Sequence, residues 1–168
     1  MRSYRRLLGQ LFFVLVAVAF ASTESAARSS APFLAVIAIT EQAGPDPTGT
    51  CPTGFAGLIS GTGDASHMGK VTLTSFDCIE IVGPGVFLFS SNRVVLTAAN
   101  GDQVFGEYSG AVDAQNGVGV VSGQFKITSG TGRFLNATGG GILQGLEEID
   151  FAMGTGRGQI RLSGTISY

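Results

Sequence analysis

His67 is the only histidine in the chain, so any Ser-His-Asp or Cys-His relay would have to be built on it. No Gly-x-Ser-x-Gly elbow is present to carry an activated serine. Zinc takes three or four nitrogen or sulfur ligands, and one histidine with two cysteines cannot assemble a usual set. A phosphate loop is also missing: Gly69-Lys70 runs into Val71, and Asp64 stands where the first glycine should be. Glu147, Glu148 and Asp150 form an acidic cluster, with strand alternation placing Glu147 on one face and the other two opposite. A calcium site would need several oxygens converging; a solvated strand edge is the simpler reading. Asn136-Ala137-Thr138 fits a glycosylation sequon or, equally, a strand-entry residue among glycines. The side chains left to exchange protons or hold an anion are Asp64, His67, Glu107, Tyr108 and Arg133. His67 follows a glycine-rich turn and reads either as a proton carrier near a barrel mouth or as an ordinary surface residue. No cofactor signature accompanies them.

The elements that must position these groups are strands. The chain has 168 residues, room for one domain with one core. Only 13% of residues are charged and 26 are glycine, which suits short strands joined by turns better than helices. Asn100-Gly101 and Asn116-Gly117 sit between alternating apolar runs, and this pairing predicts tight hairpins with positive φ at both turn positions. Val121, Gly123, Phe125 and Ile127 alternate with polar neighbours, as do Ile160, Leu162, Gly164 and Ile166. Val71, Leu73, Ile79 and Ile81 share one parity of a further strand. Val86–Ser90 and Arg93–Ala99 read as one long strand or two shorter ones. Between residues 129 and 141, glycines flank Arg133-Phe134-Leu135, marking a corner where the chain turns, enters a strand and bends again. The apolar run Pro32–Ile39 is a first strand or a tail lying on the wall.

Roughly eight antiparallel strands in meander order predict an all-β, eight-stranded up-and-down barrel of calycin-like form, since closure removes unpaired edges. A two-sheet sandwich is the alternative. The organisation reads as residues 1–27 for export, 28–50 for an N-terminal strand and linker, and 51–168 for the barrel.

Arg2, Arg5 and Arg6 precede an apolar run from Leu7 to Phe20, and small residues follow, with cleavage expected after Ala21 or Ala27. The run is short of the roughly 20 residues of a membrane span, which favours a signal peptide over an anchor. The expected address is therefore periplasmic or extracellular, with no stable membrane insertion after cleavage. Cleavage after Ala27 removes three arginines and Glu24, taking the net charge from −2 to about −4. That mild acidity argues against nucleic acid as a partner. Cys51 and Cys78, an even count in an oxidising compartment, suggest one disulfide rather than two buried thiols.

Several segments together resemble a family. Gly61–Lys70, Leu96–Asp102, Gly130–Phe134 with Ala137–Gly139, and Gly164–Tyr168 resemble small exported bacterial proteins of the allene oxide cyclase barrel-like type. The Gly-Thr-Gly-Arg-Phe segment is also similar to its counterpart in plant dirigent proteins. The resemblance covers about residues 51–168. It implies the same eight-stranded barrel, a homo-oligomer, and a cyclase or isomerase acting on an apolar substrate inside the barrel. No catalytic residue of those families matches a position here. Such chemistry needs a shaped dry cavity and one or two polar groups, for which the five residues named above are the candidates. The phenylalanines spread through the strands, among them Phe55, Phe87, Phe89 and Phe151, either fill the interior or leave room for one small apolar ligand. Absent a convergent acid–base set, the preferred expectation is a non-catalytic exported barrel that binds a small apolar molecule or acts through its surface.

Overall fold

The structure, a computed structural model, describes residues 29–168; the expected signal peptide and its cleavage sites lie outside them. Eight strands follow one another: β1 (Ala31–Pro45), β2 (Phe55–Ala65), β3 (Gly69–Gly83), β4 (Val86–Ala98), β5 (Gln103–Gln115), β6 (Val118–Gly130), β7 (Thr138–Asp150) and β8 (Thr155–Ser167). Each pairs antiparallel with the next, and β1 pairs with β8, so the sheet closes into an up-and-down barrel. Closure rules out the sandwich, and the Pro32–Ile39 run is a stave of the wall. One turn of 3-10 helix, Gly132–Phe134, stands between β6 and β7.

Alternation decides which side chains face inward. Phe33, Ala35, Ile37 and Ile39 on β1, Val71 and Leu73 on β3, and Ile160, Leu162 and Ile166 on β8 are all buried. Register slips interrupt that parity, one of them at the β3–β4 end between Ile81 and Gly83. In β4 the register slips between Ser91 and Val94, so Phe87 and Phe89 share the inner face with Val94 and Leu96, positions of opposite parity. Ser91 holds the bulge: its Oγ accepts the Arg93 N–H at 3.1 Å and donates to the Phe76 carbonyl at 2.7 Å. The two halves of this segment are thus one strand that turns over midway. Another slip lies opposite Phe105 and Gly106 in β6.

The two Asn-Gly hairpins differ. Asn116 and Gly117 both have positive φ, 53° and 78°, as the dipeptide predicts. At the other, only Gly101 does, at 88°. There the Gly101 N–H donates to Ala98 and the Ala98 N–H donates to the Asp102 carbonyl, a three-residue loop closed by glycine. Asn100 accepts the Asp102 N–H through its side chain at 3.1 Å, a bond compatible with ordinary backbone geometry.

The barrel's ends are unlike. At one, Phe134 is fully buried under the Arg133 guanidinium, 4.8 Å from the ring centroid, and against Tyr168, 4.9 Å between centroids. Phe33 packs on Phe125 just inside, so this end is plugged. The other end carries the Cys51–Cys78 disulfide, which ties the β1–β2 loop to the outside of β3. Asp46 fastens the same loop by accepting the Cys51 and Thr48 N–H groups, and these hydrogen bonds push its carboxyl down to about 2. The bridge encloses about 28 residues, so its loss is expected to remove about 3.5 kcal/mol on the chain-entropy model. Denaturant titration of the Cys51→Ser/Cys78→Ser protein checks this; an unchanged midpoint would show that the loop is held without it.

Candidate functional site

Above the plugged end a cavity of about 280 Å³ lies toward the disulfide end, with Phe87 stacked on Phe151 at its rim, 6.0 Å between ring centroids. Its wall is apolar, with Ile39, Ile59, Phe89, Val112, Leu143 and Ile160 among its lining. Phe151 and Ile81 at the rim are 56% and 62% exposed, so the cavity has a mouth. Four ionisable groups interrupt this lining, Glu41, Asp77, Tyr108 and Glu147, beside the neutral Thr155. They come from β1, β3, β5 and β7, one from each alternate strand, the layered arrangement that small barrels impose. The strands between supply small residues where the carboxylates lie. A Cβ at Gly57 on β2 would overlap Glu41 Oε1, and one at Gly156 on β8 would overlap Glu147 Oε1. Glycine at these two positions makes room for the acids.

Asp77 is 2% exposed and well partnered. Tyr108 Oη donates to its carboxylate, 2.7 and 2.8 Å from the two oxygens, and Ser75 Oγ donates at 2.6 Å. Burial pushes Asp77 up to about 6, with the Ser75 and Tyr108 hydrogen bonds opposing that rise. Glu41 is pushed further, to about 8, by burial first and then by repulsion from Glu147 and Asp77. Glu147 is raised by burial, opposed by a hydrogen bond with Glu41. Burial also raises the Tyr108 hydroxyl, which keeps its proton and stays a donor. Burial thus favours the protonated form more strongly at Glu41 than at Asp77, with Glu147 as a third carboxyl in the same lining.

Neither the models of known protein families nor the curated proteins yield a match to this chain.

Of the five residues singled out in the sequence, only Tyr108 reaches the cavity. Asp64 lies outside, paired with Lys70 at 2.8 Å, and Glu107 lies outside, paired with Lys126 at 3.0 Å. His67 and Arg133 meet at the plugged end. There Arg133 donates to the His67 carbonyl, and His67 Nε2 lies 2.9 Å from the Pro32 carbonyl. His67 adopts a left-handed φ of 67° in the β2–β3 turn and contacts Tyr168, far from the mouth. The acidic cluster divides as alternation predicts, yet Glu147 is not on a solvated edge: it is 4% exposed inside the barrel. Glu148 points out to Arg157 at 2.8 Å, and Asp150 accepts the Ala152 and Met153 N–H groups of the β7–β8 turn. Glu41 and Asp77 escaped the sequence reading. Asp77 shares the parity of Val71, Leu73, Ile79 and Ile81, and an acid on an inward parity is the signal that marks it.

Proposed function

We propose that this protein is an exported β-barrel of the allene oxide cyclase-like type that binds one small apolar molecule in its cavity. The observation that carries the reading is the cavity itself: about 280 Å³, apolar, open at one end and provided with four convergent ionisable groups. That volume is at the small end of ligand sites, and the combination of apolar wall and few polar groups is typical of them. Export is supported by the disulfide, which persists in oxidising compartments. Mass spectrometry of material extracted from the purified native protein is expected to find an apolar compound that rebinds saturably at one per chain. Nothing extracted, and no saturable binding of uncharged apolar dyes, would overturn the reading.

A second reading rests on the unequal carboxyls. Glu41 is pushed up to about 8 and Asp77 only to about 6, the kind of separation that lets one site run both acid and base steps. In a cyclisation or isomerisation, Glu41 would give a proton to a substrate oxygen and Asp77 would accept one, with no net change in atoms or electrons. Conversion of the extracted compound by the native protein, abolished in Glu41→Gln, supports catalysis; a ligand returned unchanged supports binding alone.

A further inference from the structure

The cavity holds three carboxyls and no cation. β1 brings Glu41, β3 brings Asp77, β5 brings Tyr108 and β7 brings Glu147 to the lining, with Ser75 bonded to Asp77 and Ser91 to Ser75. Near these groups β2, β6 and β8 offer Ile59, Val121, Ile160, the neutral Thr155 and glycines. Every lysine and arginine among the described residues is exposed on the outside of the barrel. Ser75 and Tyr108 serve Asp77; Glu147 shares a hydrogen bond with Glu41, yet its Oε1 is buried in the cavity lining and has no hydrogen-bond partner. A buried acceptor without a donor is unfavourable, and a buried carboxylate without a counter-charge more so.

Building on the apolar-ligand reading, we propose that the cavity takes a molecule whose apolar body ends in a protonated amine, with the ammonium bound to Glu147 Oε1. An ammonium carries three donors and a positive charge, and so supplies both things the site lacks. A ligand carboxylate would add a fourth acid to the cluster and is excluded by repulsion. A neutral hydroxyl could satisfy Glu147 without balancing its charge. Because burial holds protons on Glu41 and raises Glu147, a cation that stabilises their ionised forms must displace protons as it binds.

The test compares three probes of similar size at pH 7.5: 2-phenylethylamine, 2-phenylethanol and 3-phenylpropanoate. Calorimetric titration in two buffers of different ionisation enthalpy reads affinity and proton release together. The amine is expected to bind about tenfold or more tightly than the alcohol, the carboxylate least, with protons released only by the amine. Its affinity should rise between pH 5 and 8.5 as Asp77, Glu147 and Glu41 ionise. Glu147→Gln, with its fold checked by circular dichroism, should bring the amine down to the alcohol's affinity. Should that variant fail to fold, proton release and the pH profile of the native protein decide. An alcohol that binds as tightly as the amine, or an amine that binds without releasing protons, overturns this inference while the apolar-ligand reading stands. Absence of saturable binding by all three probes overturns both.

Discussion

The melting temperature of the native protein is expected to fall by roughly 6–12 °C between pH 5 and pH 8.5. The folded chain holds Glu41 at about 8 and Asp77 at about 6, above their ordinary values of 4.5 and 3.8, and raises Glu147 as well. Between the unfolded and folded values, the folded state binds more protons than the unfolded one. The stability these groups contribute is therefore fully present below about pH 4 and is lost as pH rises through about 6 and then about 8. Each tenfold preference for the proton is about 1.4 kcal/mol, and proton sharing within the cluster reduces the sum to on the order of 2–4 kcal/mol. Asp46 works in the opposite direction, its contribution present above 3.8 and lost as pH falls toward about 2, outside this window. In Glu41→Gln/Glu147→Gln the slope should flatten to what Asp77 alone imposes. A native melting temperature that holds or rises from pH 5 to 8.5 would contradict a buried carboxyl cluster, as would an unflattened slope in the double variant.

Phe134→Ala is expected to be the most damaging single change in the plug, with a loss of about 3–5 kcal/mol. Phe134 has no exposed surface, Arg133 and Tyr168 cover its ring, and its carbonyl accepts the Ala137 N–H at 2.8 Å. Removing the ring leaves a void at the one end where the barrel is closed. Next in sequence, Leu135 is 64% exposed, and Leu135→Ala should stay within about 0.5 kcal/mol. Chemical denaturation of both variants checks the contrast. Equal midpoints would show that the 3-10 turn lies on the barrel rather than plugging it.

Strand order and wall faces were legible because period-two alternation is a local signal and β1, β3, β6 and β8 keep it along most of their length. Closure was legible only indirectly, since the β1–β8 pairing joins the two ends of the domain, and no short window contains it. The β4 bulge was not legible: the residues that hold it, Ser91 and Phe76, belong to different strands. The glycine corner announced a turn, but that Phe134 swings inward to plug the barrel depends on Tyr168 and Arg133 around it. For the site, composition misled. His67, Asp64, Glu107 and Arg133 drew attention by type, yet Asp64 and Glu107 lie on the outer surface in ion pairs and His67 and Arg133 sit at the plugged end. Parity was the better guide. Asp77 and Glu147 sit on inward parities, and Glu41 continues that of Ile37 and Ile39 one step beyond the apolar run.

Ligand is expected to bind inside the barrel and not on its outer wall. The most direct measurement is methyl-selective NMR of the native protein during titration with 2-phenylethanol, a neutral probe that makes no demand on the charge of the carboxyls. Saturable shifts are expected at Ile39, Ile59, Val112 and Ile160, whose side chains line the cavity, with Val120 and Leu146 on the outer face unmoved. Shifts confined to Val120, Leu146 and their neighbours, with the cavity methyls still, would contradict it.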